Sequence, residues 1–276
     1  MNRLTRSITL IFILAGMLQA ASWGRLERHA VARGGWGHQV VGIVLTPLNI
    51  SGCKLWLEAD FGVEGDSSGN PAEDSASVYF WRDRSGTGND CYQNADTSRP
   101  VLDMEGINAR PAVSFDGIDD RLRLGNAQLY SNTDGLTVIA VINDSTTSSN
   151  KGILTKYHSG IEWWLYNNNF STHEQSVYEP DNIAVGSLDQ GVHVRWGEWL
   201  PGQYCRYYCD ITLQGSATTP AVDIDNTSQE VCVGSSGIIR YFTGEIALLL
   251  AYDRTLTDAE KSRLFNWYIR RRFGVP

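Results

Sequence analysis

Leu136-Thr137-Val138-Ile139-Ala140-Val141-Ile142 decides how this chain is read. Successive residues of an extended strand point to opposite faces. Here both sets are apolar: Leu136, Val138, Ala140 and Ile142 on one side, Ile139 and Val141 on the other. Such a strand has to be covered on both sides, which places it inside a layered structure. Similar short runs lie on either side of it: Leu55 to Leu57, Val78 to Trp81, Pro111 to Phe115, Ile161 to Tyr166, Val192 to Trp196, Tyr204 to Leu213, Glu230 to Val233 and Glu245 to Tyr252. Gly, Asn, Asp, Ser and Thr fill the gaps between them. Repeated turn chemistry between short apolar runs predicts an all-β fold, a two-sheet antiparallel sandwich.

The chain closes on one predicted helix. Thr257-Asp258-Ala259-Glu260 is a capping box, in which Thr257 accepts from the third helical amide and Glu260 reaches back. Leu264, Tyr268 and Arg272 form one stripe, and Phe265, Ile269 and Phe273 the next, so one side can pack on a sheet. Gly274 and Pro276 supply stop signals. Arg270-Arg271-Arg272 falls in the last turn, where cations complement the helix dipole.

The chain has 276 residues, 42% of them hydrophobic, and a formal net charge of −8. That is enough apolar material for a sizeable core. The acidic balance argues against a nucleic-acid partner, which needs a clustered basic surface. Arg3 and Arg6 precede an apolar stretch from Ile8 to Leu18, with small residues at Ala20-Ala21-Ser22, so residues 1–21 read as an export signal. No later segment reaches the roughly 20 apolar residues of a membrane helix, so no integral span is expected after signal removal. Residues 22–50 lack sustained periodicity and read as a linker, leaving 51–276 as the folded domain.

The five cysteines, Cys53, Cys91, Cys205, Cys209 and Cys232, show no spacing that suggests zinc. Cys205 and Cys209 sit about 13 Å apart along an extended strand, too far to bridge each other. Either could meet Cys53 or Cys232 across strands, and buried free thiols are the alternative. Asn-x-Ser/Thr sequons begin at Asn49, Asn143, Asn169 and Asn226.

Alternation along the aromatic strands suggests a ligand face. Trp163 and Leu165 point one way, Trp164 and Tyr166 the other. Val192, Val194 and Trp196 read as the core face of their strand, leaving His193 and Arg195 outside. From Tyr204 onward, Cys205, Tyr207, Cys209, Ile211 and Leu213 read as inward, and Tyr204, Arg206, Tyr208 and Asp210 as outward. Trp164, Tyr166, His193, Arg195, Tyr208 and Asp210 are therefore expected to share one outer face. Flat rings beside polar groups suit a sugar or peptide. The structural alternative is that the rings lie under a covering loop.

Three stretches resemble the laminin-G-like jelly-roll family of the concanavalin-A-like lectin and glucanase fold. They are Leu55-Trp56-Leu57-Glu58-Ala59-Asp60 with Trp81-Arg82-Asp83-Arg84-Ser85-Gly86-Thr87-Gly88-Asn89-Asp90; Arg110-Pro111-Ala112-Val113-Ser114-Phe115-Asp116-Gly117-Ile118-Asp119-Asp120-Arg121-Leu122; and the run from Phe242 to Glu260. They frame residues 51 to about 275. The stretch from Asn167 to Ser228 matches only loosely. The resemblance implies two curved sheets, a binding or adhesion role more often than catalysis, and in some relatives a calcium ion at one rim. No cofactor is required by this reading, and Ca2+ is the one ion it brings in. Asp83, Ser85, Asn89 and Asp90 are oxygen-rich enough for such a rim. They also suit Asx-type turns closed on their own loop amides, the structural alternative.

Glucanases of that fold carry paired acids on one strand. Glu58 and Asp60 fall on one face, but Glu64 is too far along and Gly62 ends the strand, so catalysis is not expected. No serine nucleophile elbow, zinc-protease motif or phosphate-cradling loop is present. The expectation is a non-catalytic binding module, for a glycan, of a secreted or surface-displayed protein. The alternatives are a structural or adhesion part of a virion or cell envelope that binds a surface protein, and a divergent glycoside hydrolase.

Overall fold

The computed structural model describes residues 45–157, 161–172, 182–219, 224 and 228–276. The expected export signal lies outside the described residues. The apolar runs form strands β1 (Cys53–Glu58), β2 (Val63–Glu64), β3 (Phe80–Trp81), β4 (Cys91–Tyr92), β5 (Val101–Asp103), β6 (Ala112–Asp116), β7 (Leu122–Arg123), β8 (Leu136–Asp144), β9 (Gly152–Tyr157), β10 (Ile161–Tyr166), β11 (Asn169–Thr172), β12 (Asn182–Val185), β13 (Gly191–Leu200), β14 (Tyr204–Cys209), β15 (Thr212–Ala217), β16 (Val231–Val233) and β17 (Thr243–Tyr252). One sheet runs β15-β14-β13-β8-β17-β6-β5, and the other β12-β11-β10-β9-β16-β7-β4-β3-β2. The strand pairs are antiparallel. β17 is long enough to pair with β6 through Thr243–Ile246 and with β1 through Leu248–Tyr252. The all-β sandwich expected from the sequence is what forms.

β8 behaves as its double apolar pattern requires. Val138, Ala140 and Ile142 enter the core between the sheets, with Leu55, Leu57, Trp81, Phe115, Trp163, Leu249 and Ala251. Ile139 and Val141 enter a second core on the outer side of the first sheet, with Trp56, Val194, Trp196, Leu250 and Tyr252. The C-terminal helix roofs that second core. It runs as α1 (Asp258–Leu264), a π-helical turn (Phe265–Ile269) and α2 (Arg270–Phe273). Leu264, Phe265, Ile269 and Phe273 are buried beneath it. The capping box forms as read: Glu260 N donates to Thr257 Oγ1 at 3.3 Å, and Thr257 N to Glu260 at 2.9 Å. Gly274 takes φ +63 just past the last turn, a conformation cheap only for residues such as glycine.

Two close approaches fix the packing, the first within one sheet between β6 and β17 and the second between the sheets. Gly117 turns at φ +79, and a Cβ there would meet Thr243 Oγ1 at 1.9 Å. A Cβ on Gly197 of β13 would meet the Phe170 ring of β11 at 2.0 Å, which is where the sheets press together.

The structure corrects several expectations. Leu45–Ile50, assigned to the linker, packs on the domain: Pro47 and Ile50 are buried and Tyr252 Oη donates to the Pro47 carbonyl at 3.1 Å. Val194 and Trp196 do not face the other sheet; they lie under the helix, and His193 and Arg195 point to the inter-sheet side. The run from Tyr204 breaks in a turn at Asp210 and Ile211, so Ile211 and Leu213 are exposed rather than inward. Arg272 does more than complement the helix dipole, because it pairs with Glu58 and Asp60. None of the five cysteines is bridged. Asn169 is buried and its amide donates to Asn150 Oδ1 at 2.6 Å, so this sequon is not available as a surface acceptor.

Candidate functional site

The six residues expected on one outer face are divided among three places. Trp164 and Tyr166 share the outer side of the second sheet, stacked with ring centroids 5.4 Å apart. Both are buried. Trp164 Nε1 donates to Asn169 Oδ1 at 2.7 Å, and Tyr166 Oη lies 2.9 Å from Ser236 Oγ. Tyr208 lies under the helix, edge-on to Trp196, with its hydroxyl donating to Glu198 at 3.1 Å. His193, Arg195 and Asp210 come together at one rim of the sandwich, at the β13–β14 ladder.

There the geometry is tight. Asp210 follows β14 and takes φ +56, the left-handed conformation that Asp tolerates in turns. Its amide donates to the Val194 carbonyl at 2.7 Å, and its Oδ1 accepts from Val194 N at 2.9 Å. Thus anchored, Oδ2 lies 3.1 Å from His193 Nδ1. Cys209, read from sequence only as an inward residue, places its Sγ 3.5 Å from the same Nδ1. Burial first, and then the charge of Asp210, pushes its thiol up to about 11, against the pull of Arg195. Arg195 stands across the ladder from Cys209 and is fully buried. Its Nη2 donates to the Asp189 carbonyl at 2.5 Å.

His193 also lines a shallow, open recess of about 640 Å3, with Thr146, Thr147, Leu188, Asp189 and Gln190. The recess rests on a polar network. Buried Asp144 accepts from Thr146 N at 2.9 Å and Thr146 Oγ1 at 2.6 Å, and Gln190 Nε2 donates to the Thr146 carbonyl at 2.6 Å. Sequence reasoning missed Thr146, Gln190 and Cys209. Thr146 and Gln190 sit in loops without periodicity, and Cys209 meets His193 only through strand register.

The acids considered for catalysis are engaged elsewhere. Glu58 is buried and accepts from Trp56 Nε1 at 3.1 Å, Arg84 at 2.7 Å and Tyr268 Oη at 2.7 Å, besides Arg272. Burial raises its pKa, and Arg272 and Arg84 oppose the rise. The Asp83 loop closes on itself. Asp83 accepts from the amides of Trp56, Ser85 and Asn89 at 2.9, 2.9 and 3.1 Å, and Asp90 accepts from Asp83 N at 2.8 Å. Asp116, Asp119 and Asp120 also gather at the Gly117 turn. Asp116 Oδ1 accepts from Ile118 N at 2.8 Å, and Asp120 Oδ2 from Asp116 N at 2.9 Å.

No protein-family model and no curated protein matches the sequence. Solved structures share its fold. The binding domain of Paraclostridial mosquitocidal protein 1 superposes with a TM-score of 0.57 at 13% identity, covering 79% of this chain and 52% of that one. The botulinum neurotoxin serotype G binding domain gives 0.54 at 12% identity, covering 81% and 54%. A GH54 α-L-arabinofuranosidase gives 0.54 at 11% identity, covering 78% and 62%. At such identities the likeness is one of fold. The chain spans a little over half the length of these structures. No helix among the described residues is long and apolar enough to cross a membrane.

Proposed function

We propose that this chain is a non-catalytic carbohydrate-binding module of an exported or surface-displayed protein, with the laminin-G-like arrangement its motifs resemble. The observation that carries the reading is the polar recess at the His193 rim. Hydroxyl, amide, imidazole and carboxylate groups converge there in the open, the mixture that pairs with sugar hydroxyls. The broad faces offer less. The helix covers much of the outer side of the first sheet, and Trp164 and Tyr166 are buried. His193, Asp210, Gln190 and Asp189 are the contact residues in this reading. Arg195 acts through Asp189, whose carbonyl it holds. Trp164, Tyr166 and Tyr208 act as support.

A similar fold makes up about half of each toxin binding domain named above, and this reading extends a binding use to the present chain. Absence of catalysis is supported by the capture of Glu58 and Asp60 in ion pairs rather than across a cleft. Calcium is not needed by this site, since its contact groups are already held by strands and loop hydrogen bonds.

The test is a glycan array probed with the wild type, Gln190→Ala and Trp164→Ala. Binding that falls at least about tenfold in Gln190→Ala, the loss of one or more good polar contacts, and survives in Trp164→Ala supports the rim site. Binding abolished only by Trp164→Ala returns the site to the outer sheet face. No glycan bound at all favours recognition of a surface protein.

A further inference from the structure

We propose that His193, Cys209 and Asp210 form a three-ligand site for a zinc-class divalent cation. Nothing in the linear sequence announces it, because the ligands come from adjacent strands brought into register rather than from a spaced motif. The three donor atoms are His193 Nδ1, Cys209 Sγ and Asp210 Oδ2. Their separations are 3.5 Å for sulfur to nitrogen, 3.1 Å for nitrogen to oxygen and 3.8 Å for sulfur to oxygen. A tetrahedral zinc with bonds of about 2.3 Å to sulfur, 2.05 Å to nitrogen and 2.0 Å to oxygen spaces the same atoms by about 3.5, 3.3 and 3.5 Å. The protein thus holds one face of the tetrahedron within a few tenths of an ångström.

A nucleophilic relay is the competing use of these residue types. In a relay the imidazole hands a proton between two partners through its two different nitrogens. Here thiol and carboxylate both face Nδ1. Convergence on a single nitrogen serves a common central ion rather than a relay. The mixed sulfur, nitrogen and oxygen set matches zinc, whereas calcium prefers oxygen alone.

The surroundings are those of a prepared site. Asp210 is fixed from both sides by Val194, which occupies Oδ1 and leaves Oδ2 turned toward His193 Nδ1 and Cys209 Sγ, the other two donors. Partners of this kind orient metal ligands. The cluster supplies three protein ligands, and His193 borders the open recess. The fourth position is therefore within reach of water or a ligand oxygen, the pattern of open rather than purely structural zinc sites. Ligation replaces the thiol proton, so uptake of the ion releases it to solvent.

This inference does not depend on glycan binding. The full chain, stripped with chelator and dialysed, is titrated with zinc by calorimetry and with cobalt(II) by absorption spectroscopy. The expected results are one zinc per chain, a melting temperature raised by roughly 5–10 °C at free zinc 100-fold above Kd, and a cobalt–thiolate charge-transfer band with tetrahedral visible bands. Cys209→Ser should lose the charge-transfer band, and His193→Ala should weaken zinc binding at least about tenfold. Cys53→Ser and Asp116→Asn, which alter a different thiol and the other acidic cluster, should leave both signals intact. Circular dichroism in chelator checks that each variant folds. No zinc uptake by the folded wild type, or uptake unchanged in Cys209→Ser and His193→Ala, overturns the site. Glycan binding in chelator without zinc uptake sinks the metal site alone, and zinc uptake with no glycan bound sinks only the sugar reading.

Discussion

Glu58 is only 1% exposed, yet it holds two arginines, a tyrosine hydroxyl and an indole N–H. It stands at the end of the first strand and joins that strand to the C-terminal helix through Arg272 and Tyr268. A buried carboxylate is tolerated only when paired and hydrogen-bonded, and removing the whole group leaves Trp56 Nε1, Arg84, Tyr268 Oη and Arg272 without their shared acceptor. Glu58→Ala is expected to cost about 3 kcal/mol, the penalty of several buried donors left unpaired, read as a drop of roughly 6–12 °C in Tm. It should leave any glycan binding at the rim unchanged. A loss of glycan binding at unchanged Tm would contradict the structural role. At this scale the sequence was informative about turns and poor about partners. The Asp83 loop and the Asp116-Gly117 turn form as their side-chain chemistry dictates. The ring of donors around Glu58, and the meeting of Cys209 with His193, depend on residues far apart in the chain, and nothing local encodes them.

Among the elements, β8 and the C-terminal helix were legible because their patterns admit one arrangement each. A strand apolar on both sides must be central, and a capping box followed by two apolar stripes must be a helix laid on something. β13 was read with its faces reversed. Alternation separates Val192, Val194 and Trp196 from His193 and Arg195, but it does not say which neighbour each set meets. The apolar set lies under the helix, and the polar set reaches the inter-sheet side near the rim, where His193 meets Asp210 and Arg195 Nη2 meets the Asp189 carbonyl. Further along β13, Gly197 marks where the sheets touch, and that contact can be measured. Gly197→Ala forces a Cβ against the Phe170 ring and is expected to destabilise by about 2–3 kcal/mol, the cost of overpacking a tight core. Phe170→Leu, which trims the opposing ring, should recover part of that loss. Additive effects in a double-mutant cycle would show that the layers do not meet there.

The whole molecule carries a formal charge of −8, and several carboxyls sit where burial opposes ionisation. Burial raises the pKa values of Glu58, Glu198 and Glu245, and brings Asp120 up to about 6, with Asp116 and Asp119 adding repulsion. An acid whose folded pKa exceeds its unfolded value binds its proton more tightly in the folded state. Its stabilisation is complete below the unfolded pKa and is lost as pH rises through the folded one. For Asp120 that window runs from its ordinary 3.8 to about 6. Glu260 is the opposite case: its bonds to Arg254 hold it down to about 2, so its contribution is present above its ordinary 4.5 and is lost only as pH falls below it. The two windows barely overlap, and the fold should be more stable near pH 5 than at pH 7. Of that difference Asp120 accounts for about 1 kcal/mol between pH 5 and 7. Urea unfolding at pH 5, 6 and 7 checks this. The wild type should lose stability with rising pH, and Asp120→Asn, which keeps an acceptor for the Asp116 amide but has no charge to gain, should show a shallower decline. A wild-type stability that climbs from pH 5 to 7 would mean that these buried carboxyls ionise as freely in the folded chain as in the unfolded one.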